Sequence, residues 1–179
     1  MSNEVSIRHE PCKVVSVLLR QRCALARKFV TKMSVRVYVS SRQSELRELR
    51  IELWRALSSY PETVPVMAEY FFPWQGRVAN GLALCLAELS TCDLFVGVYQ
   101  QLYGPFSPGH DKSPIHLEYL EARETPRLSG RILLFAYDGI GKRDERLGRF
   151  LRWVTNETKI HWALEWHPEQ ILRAVGEAS

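Results

Sequence analysis

Among the side chains that could do chemistry, Glu118 has the most distinctive surroundings. It lies in the segment 113–124, whose Ser-Pro start and later apolar residues predict a helix, because Ser caps free N–H groups and Pro fits the first helical position. Glu118 falls in the second turn between two apolar neighbours, and Ala122 follows one turn later on the same face. A carboxylate placed this way can act as a nucleophile or stabilise an oxocarbenium-like sugar carbon while a glycosidic bond breaks. The alternative is an ordinary helix charge at the edge of the core.

Other catalytic and metal-binding patterns are missing from the sequence. The first predicted strand is followed by Ser-Ser-Arg-Gln (40–43) where a phosphate-binding enzyme has a glycine-rich turn, and there is no Gly-x-Ser-x-Gly elbow. The four cysteines form no Cys-x-x-Cys pair and the five histidines no His-x-x-x-His pair. The sequence therefore predicts no metal site and no bound cofactor.

Strand and helix patterns alternate along the chain from Met33. The predicted strands are 35–39, 64–68, 94–99, 132–136 and 159–164, and the predicted helices are 44–59, 82–89, 113–124, 144–156 and 168–175. Ser44 is expected to cap the first helix, Arg50 to be a solvated or ion-paired residue on it, and Pro65 to place the second strand at a sheet edge. This alternation favours a flavodoxin-like three-layer α/β/α fold with a five-stranded parallel sheet in the order 2-1-3-4-5.

Loops at the carboxyl ends of such strands form the usual ligand site. Here they comprise 40–44, 68–74, 99–113 and 137–142. The loop 70–74 holds four aromatic rings, which predicts either a base-stacking wall or a partner-docking patch.

Positive charge is concentrated at the start of the chain. Residues 1–32 carry seven basic and two acidic side chains, whereas residues 33–179 carry 17 basic and 18 acidic ones. We therefore expect a basic N-terminal extension (1–32), helical or poorly ordered, before one α/β domain (33–179), and no nucleic-acid binding by the domain. The longest apolar run of the extension, 14–19, is too short for a membrane span. Two alternatives are that translation starts at Met33, and that the extension is a membrane-surface or nucleic-acid arm.

Six motifs occur along the chain in the order expected of one protein family. They are Val-Tyr-Val-Ser-Ser (37–41), Glu-Leu-Arg-Glu-Leu-Arg (45–50), Val-Met-Ala-Glu-Tyr-Phe (66–71), Cys-Asp-Leu-Phe-Val-Gly-Val (92–98), Tyr-Gly (103–104) and Ser-Pro-Ile-His-Leu-Glu-Tyr (113–119). Over roughly residues 33–140 the chain resembles the domain of unknown function 4062 family. That family is similar to TIR domains and nucleoside 2-deoxyribosyltransferases, and its members are often modules of NTPase-containing sensor or defence proteins.

The resemblance implies roles for individual residues. A Glu followed four residues later by Ala attacks or stabilises the anomeric carbon in the deoxyribosyltransferases, and this pattern falls on Glu118 and Ala122. Ser40 and Ser41 would border the ribose or phosphate, and Glu69 would face the cleft from the end of strand two.

The segment 103–106 would form a lid, with Tyr103 and Gly104 against the substrate, or would simply tie its loop to the surface. The family commonly shows Ser-x-Thr-Glu-x-Glu, which begins here at Ser113, but Ile115 and His116 replace the Thr and the first Glu. His116 would then have to substitute for that Glu.

Two functions follow as expectations. The first is hydrolysis of the N-glycosidic bond of NAD or a related nucleotide, in a signalling or defence role in the cytoplasm. The second is a non-catalytic interaction module that self-associates or binds a separately encoded NTPase partner. Fold alone does not separate them.

Overall fold

Five short strands pair in parallel into one sheet with the order β2-β1-β3-β4-β5. The structure is a computed structural model, which describes residues 34–71, 81–138 and 141–178. The strands are β1 Val35–Ser41, β2 Thr63–Val66, β3 Leu94–Tyr99, β4 Ile132–Tyr137 and β5 Ile160–Ala163. The predicted strand number, direction and order are confirmed, and Pro65 lies in the edge strand β2.

Helices cover both faces of this sheet. They are α1 Arg47–Ser59, α2 Ala68–Phe71, α3 Gly81–Leu89, α4 Pro114–Glu124, α5 Glu145–Thr155 and α6 Pro168–Ala178, with a 3-10 turn at Pro126–Leu128. One apolar cluster joins α3, α4 and α5 to one face, and a second joins α1 and α6 to the other. This is the predicted three-layer α/β/α arrangement.

Residues of β1 alternate between the two faces, as the period of a strand requires. Val37 and Val39 pack in the cluster under α1 and α6, whereas Tyr38 packs in the cluster under α3, α4 and α5. All six residues of β3 are buried, because this strand is central and covered on both faces. The same alternation sends Ser40 toward α4 and Ser41 toward α1.

The start of α1 and the end of β2 differ from the sequence prediction. Ser44 does not cap α1: the helix begins at Arg47, its cap position is Leu46, and no side chain bonds there. Instead the backbone carbonyl of Arg42 accepts hydrogen bonds from the N–H groups of Glu45 and Leu46, so a turn precedes the helix. Ala68, predicted to lie in β2, begins the short helix α2 because β2 ends at Val66.

Some sequence predictions fall outside the described residues. They concern the basic extension 1–32, residues 72–74 of the aromatic loop and residues 139–140 of the loop 137–142. Within the described ranges, no helix has both the length and the apolar character needed to cross a lipid bilayer.

Candidate functional site

The candidate site lies where the strand order reverses. From β1 the chain goes to β2 on one side and then to β3 on the other, so the loops that leave β1 and β3 diverge at this point. Such a switch point is where open parallel sheets bind ligands. A cavity of about 420 Å³ opens here, and its walls come from the end of β1, from α1, α3 and the start of α4, and from the loop after β3.

Glu118 forms part of this wall. The buried side of α4 consists of Ile115, Glu118, Tyr119 and Ala122, which is the i, i+3, i+4, i+7 stripe of a helix packed on a sheet. The carboxylate thus replaces an apolar residue on the buried face. Glu118 is only 7% exposed, so it is not a solvated charge at the edge of the core.

Two hydroxyl groups of β1 hold the Glu118 carboxylate. Ser40 Oγ donates to Oε2 at 2.5 Å, and the Tyr38 hydroxyl donates to Oε1 at 3.1 Å. Burial raises the pKa of Glu118, while the hydrogen bonds from Ser40 and Tyr38 and the charge of Arg50 oppose the rise. Burial and the Glu118 charge raise the pKa of Tyr38 well above its ordinary value, which keeps this phenol protonated and able to donate.

Arg50 brings a positive charge to the cavity from the other side of the sheet. Its side chain is 3% exposed, and its guanidinium forms a two-pronged ion pair with Glu69. Arg50 Nη1 also donates to Ser41 Oγ at 2.7 Å. Burial raises the pKa of the Glu69 carboxyl, but the hydrogen bonds and charge of Arg50 outweigh this effect and lower it.

Arg50 was expected to be solvated or ion-paired, and the structure shows the second, an ion pair with Glu69. A sequence signal existed: Arg50 follows Leu46 by four residues and precedes Leu53 by three, which places it on the buried face of α1. Sequence reasoning missed the contribution of Arg50 to the candidate site.

Four of the nine residues that the sequence singled out line the cavity, namely Ser41, Tyr103, Gly104 and Glu118. Ser40 and Glu69 do not line the cavity, but each contacts a residue that does. Ser40 donates a hydrogen bond to Glu118, and Glu69 forms an ion pair with Arg50. The remaining three, Ser113, His116 and Ala122, are not among its lining residues.

Ser113 and Ala122 are buried at the start of α4 and on its packed face, away from the cavity wall. Ser113 occupies the N-cap position of α4 as predicted, but its hydroxyl makes no capping bond and is buried without a partner. Ala122 is fully buried in the apolar cluster between α4 and the sheet. Its small side chain therefore serves helix packing rather than the cavity wall.

His116 points to a second cavity, of about 430 Å³, between α4 and α5. Its ring packs on Phe150 and Trp153 at centroid distances of 4.5 and 5.6 Å, and its Nδ1 lies 2.6 Å from the Tyr103 hydroxyl. Burial, followed by the charge of Lys112, lowers the pKa of His116 to about 4, so the ring is neutral at pH 7. The Tyr103–His116 contact ties the loop after β3 to α4.

Cys85 is another reactive side chain on the wall of the Glu118 cavity. Burial, followed by the charge of Glu118, raises the pKa of its thiol to about 12, so it stays protonated at neutral pH and is a poor nucleophile. Within the described residues, no group of three or more His, Cys, Asp or Glu side chains could hold a metal ion. The carboxylate of Glu118 is therefore the group best placed for chemistry in this cavity.

Comparison with known proteins identifies a family for this chain but no individual relative among curated proteins. A search of curated proteins finds no match. A family described as "Domain of unknown function (DUF4062)" matches residues 36–161, from β1 into β5, and this range contains Glu118, Ser40 and Arg50. Since the match covers well over half of the chain, the chain belongs to the DUF4062 domain family.

Proposed function

We propose that this domain cleaves the N-glycosidic bond of NAD or a related nucleotide, in the manner of TIR-like and deoxyribosyltransferase-like domains, in a signalling or defence role. The observation that carries the proposal is the position of Glu118. It is a buried carboxylate on the wall of an open cavity at the switch point of the sheet, held by two hydroxyl donors. Neutral His116, turned to the other cavity, does not share this position.

The reaction that fits this geometry breaks the bond between the anomeric carbon and the base nitrogen. The bonding electron pair leaves with the base, and the sugar carbon gains oxocarbenium-like positive charge that the Glu118 carboxylate stabilises. The oxygen of a water molecule then bonds to this carbon, and one of its protons passes to the carboxylate or to solvent. With NAD as substrate, nicotinamide leaves as a neutral molecule.

The surroundings of Glu118 suit this role. Ser40 and Tyr38 fix the orientation of the carboxylate, which keeps both oxygens in place as positive charge develops. Apolar side chains such as Leu82 and Ile115 share the wall, so part of the surface that faces Glu118 does not solvate its charge. In such surroundings an ionised carboxylate is weakly solvated, so it interacts strongly with a cationic sugar carbon.

One observation favours the alternative, a non-catalytic interaction module. The family pattern has a second Glu where this chain has His116, and the His116 side chain contacts Phe150 and Trp153 instead of lining the Glu118 cavity. If catalysis needs a second carboxylate at this place, His116 does not supply it. The domain would then bind a partner or a second copy of itself without turnover.

A chromatographic assay separates the two functions. The full chain is incubated with NAD and with a panel of nucleosides and nucleotides, and free base is measured. Glu118→Gln removes the negative charge with little change in shape, and Glu121→Gln is the matched control, because Glu121 lies on the same helix but not on the cavity wall. The proposal predicts release of base by the unchanged chain and by Glu121→Gln, and release about 100- to 1000-fold slower by Glu118→Gln. Release by Glu118→Gln at the rate of the unchanged chain would refute the role of Glu118, and no release from any compound would favour the interaction module.

A further inference from the structure

We infer that Arg42 forms an anion-binding subsite in the Glu118 cavity, so that the ligand is a phosphorylated nucleoside rather than a free nucleoside. The inference rests on the proposed function for the sugar and the base, and it adds the position of a phosphate group. Arg42 directly follows β1, and its side chain lies on the wall of the same cavity as Glu118.

The guanidinium of Arg42 is partly desolvated, and it is unpaired within the part of the chain that the structure describes. Its Nε is buried and has no hydrogen-bond partner, and no carboxylate of the described residues forms an ion pair with it. An unpaired donor that is removed from water costs free energy, and the cost is larger when the group is charged. An anionic ligand in the cavity would bind the terminal Nη groups of Arg42 and offset part of this cost through its charge.

The second arginine of the cavity is already occupied. Arg50 donates to both carboxylate oxygens of Glu69, to Ser41 Oγ and to the backbone carbonyl of Val39. Its charge is therefore balanced within the protein. Arg42 is left as the uncompensated positive charge on this wall, within the described part of the chain.

The loop after β3 allows this guanidinium to approach its backbone closely. Gly104 lies against it with a φ of +91°, in the left-handed region that glycine adopts without strain. A Cβ atom at position 104 would come within 2.5 Å of Arg42 Nη1. The absence of a side chain at Gly104 thus lets the guanidinium lie against the loop, so part of the ordering that a phosphate site requires is already present.

Phosphate is the anion that suits both the side chain and the proposed reaction. The planar, forked N–H donors of Arg match the oxygens of a phosphate group and bind two of them at once. The cavity volume of about 420 Å³ lies in the ordinary range for small-molecule sites. A nucleotide bound with its sugar at Glu118 would carry its phosphate on the same wall as Arg42.

Titration calorimetry tests this inference without any need for turnover. The full chain is titrated with the four common ribonucleoside 5′-monophosphates and with the four corresponding nucleosides. Arg42→Gln removes the charge from the cavity, and Arg55→Gln is the matched control, since Arg55 is exposed on α1 and does not line the cavity. A charge-assisted contact of this kind corresponds to about a 10- to 100-fold change in affinity.

We expect at least one monophosphate to bind about 10- to 100-fold more tightly than its nucleoside. This preference should disappear in Arg42→Gln and remain in Arg55→Gln. A preference that persists in Arg42→Gln, or no preference in the unchanged chain, would overturn the inference. Base release that depends on Glu118 without a phosphate preference would refute the subsite alone. Phosphate-dependent binding without base release would refute the proposed reaction and leave the subsite standing.

Discussion

Replacing Glu118 by Gln should stabilise the folded domain at neutral pH, in contrast to most substitutions of a hydrogen-bonded buried residue. The carboxylate is largely buried, and burial is the largest influence on its pKa, which it raises. Gln keeps an acceptor oxygen for one of the two hydroxyl donors, Ser40 or Tyr38. The other hydroxyl can rotate and accept a bond from the amide N–H₂, because a hydroxyl both donates and accepts. The substitution therefore removes the cost of a buried charge and keeps most of the bonding.

The size of the effect depends on pH in a defined direction. The pKa of Glu118 is raised in the folded protein above the ordinary value of 4.5. The folded state therefore holds this proton more tightly than the unfolded chain, and unfolding free energy falls as pH rises from about 4.5 through the raised pKa. Each unit of the rise corresponds to about 1.4 kcal/mol. Since Gln does not titrate, the advantage of Glu118→Gln should grow over this interval and then level off.

Urea unfolding of the two chains at a series of pH values between about 4 and 8 measures this difference. Glu121→Gln, on the solvent side of the same helix, controls for the loss of a carboxyl group in general. A difference in unfolding free energy that does not change with pH would refute the reasoning. A difference that grows toward low pH would show that the protein stabilises the ionised form instead.

Two further substitutions test how the site is built. Gly97→Ala would place a Cβ atom 2.5 Å from the Tyr99 hydroxyl and 2.8 Å from Leu134 Cδ2. We therefore expect the unfolding free energy measured in urea to fall by about 1–3 kcal/mol, and Tyr99→Phe to restore part of it. An unchanged unfolding free energy would contradict this packing. Glu69→Gln would leave the buried guanidinium of Arg50 without its counter-charge, and because Glu69 is partly exposed we expect a moderate cost of about 1–3 kcal/mol. The pKa of Glu69 is lowered in the folded state, so this cost should be present at pH 7 and fade as pH falls below about 4.5; a cost that persists at low pH would argue against the ion pair.

Most of the fold could be predicted from the sequence because its signals are local and strong. The apolar run of β3, Leu94–Tyr99, is predicted with its observed bounds, and the alternation of strands and helices leaves few topologies open. The predicted start of α1 at Ser44 was wrong, because Ser is favoured in turns as well as at helix caps. The carbonyl of Arg42 organises that turn, and a backbone hydrogen bond of this kind leaves no mark in the sequence.

The candidate site was less predictable, since it depends on contacts between residues far apart in the chain. Glu118 could be found because a carboxylate among apolar neighbours on a helix is unusual. Its two partners, Tyr38 and Ser40, lie about 80 positions earlier, and their bonds follow only from the packing of α4 on β1. Arg50 and Arg42 have the same residue type and are close in sequence, yet among the described residues only Arg50 has a counter-charge, that of Glu69.

The most direct test of the proposed function is the rate at which base is released from NAD, or from whichever nucleotide of the panel is cleaved, by the full chain and by Glu118→Gln. Loss of a group that stabilises transition-state charge typically costs about 100- to 1000-fold in kcat. We predict a fall of this size in kcat/KM for Glu118→Gln, with Glu121→Gln close to the unchanged chain. Equal rates for the unchanged chain and Glu118→Gln would contradict the assignment of Glu118 as the essential carboxylate.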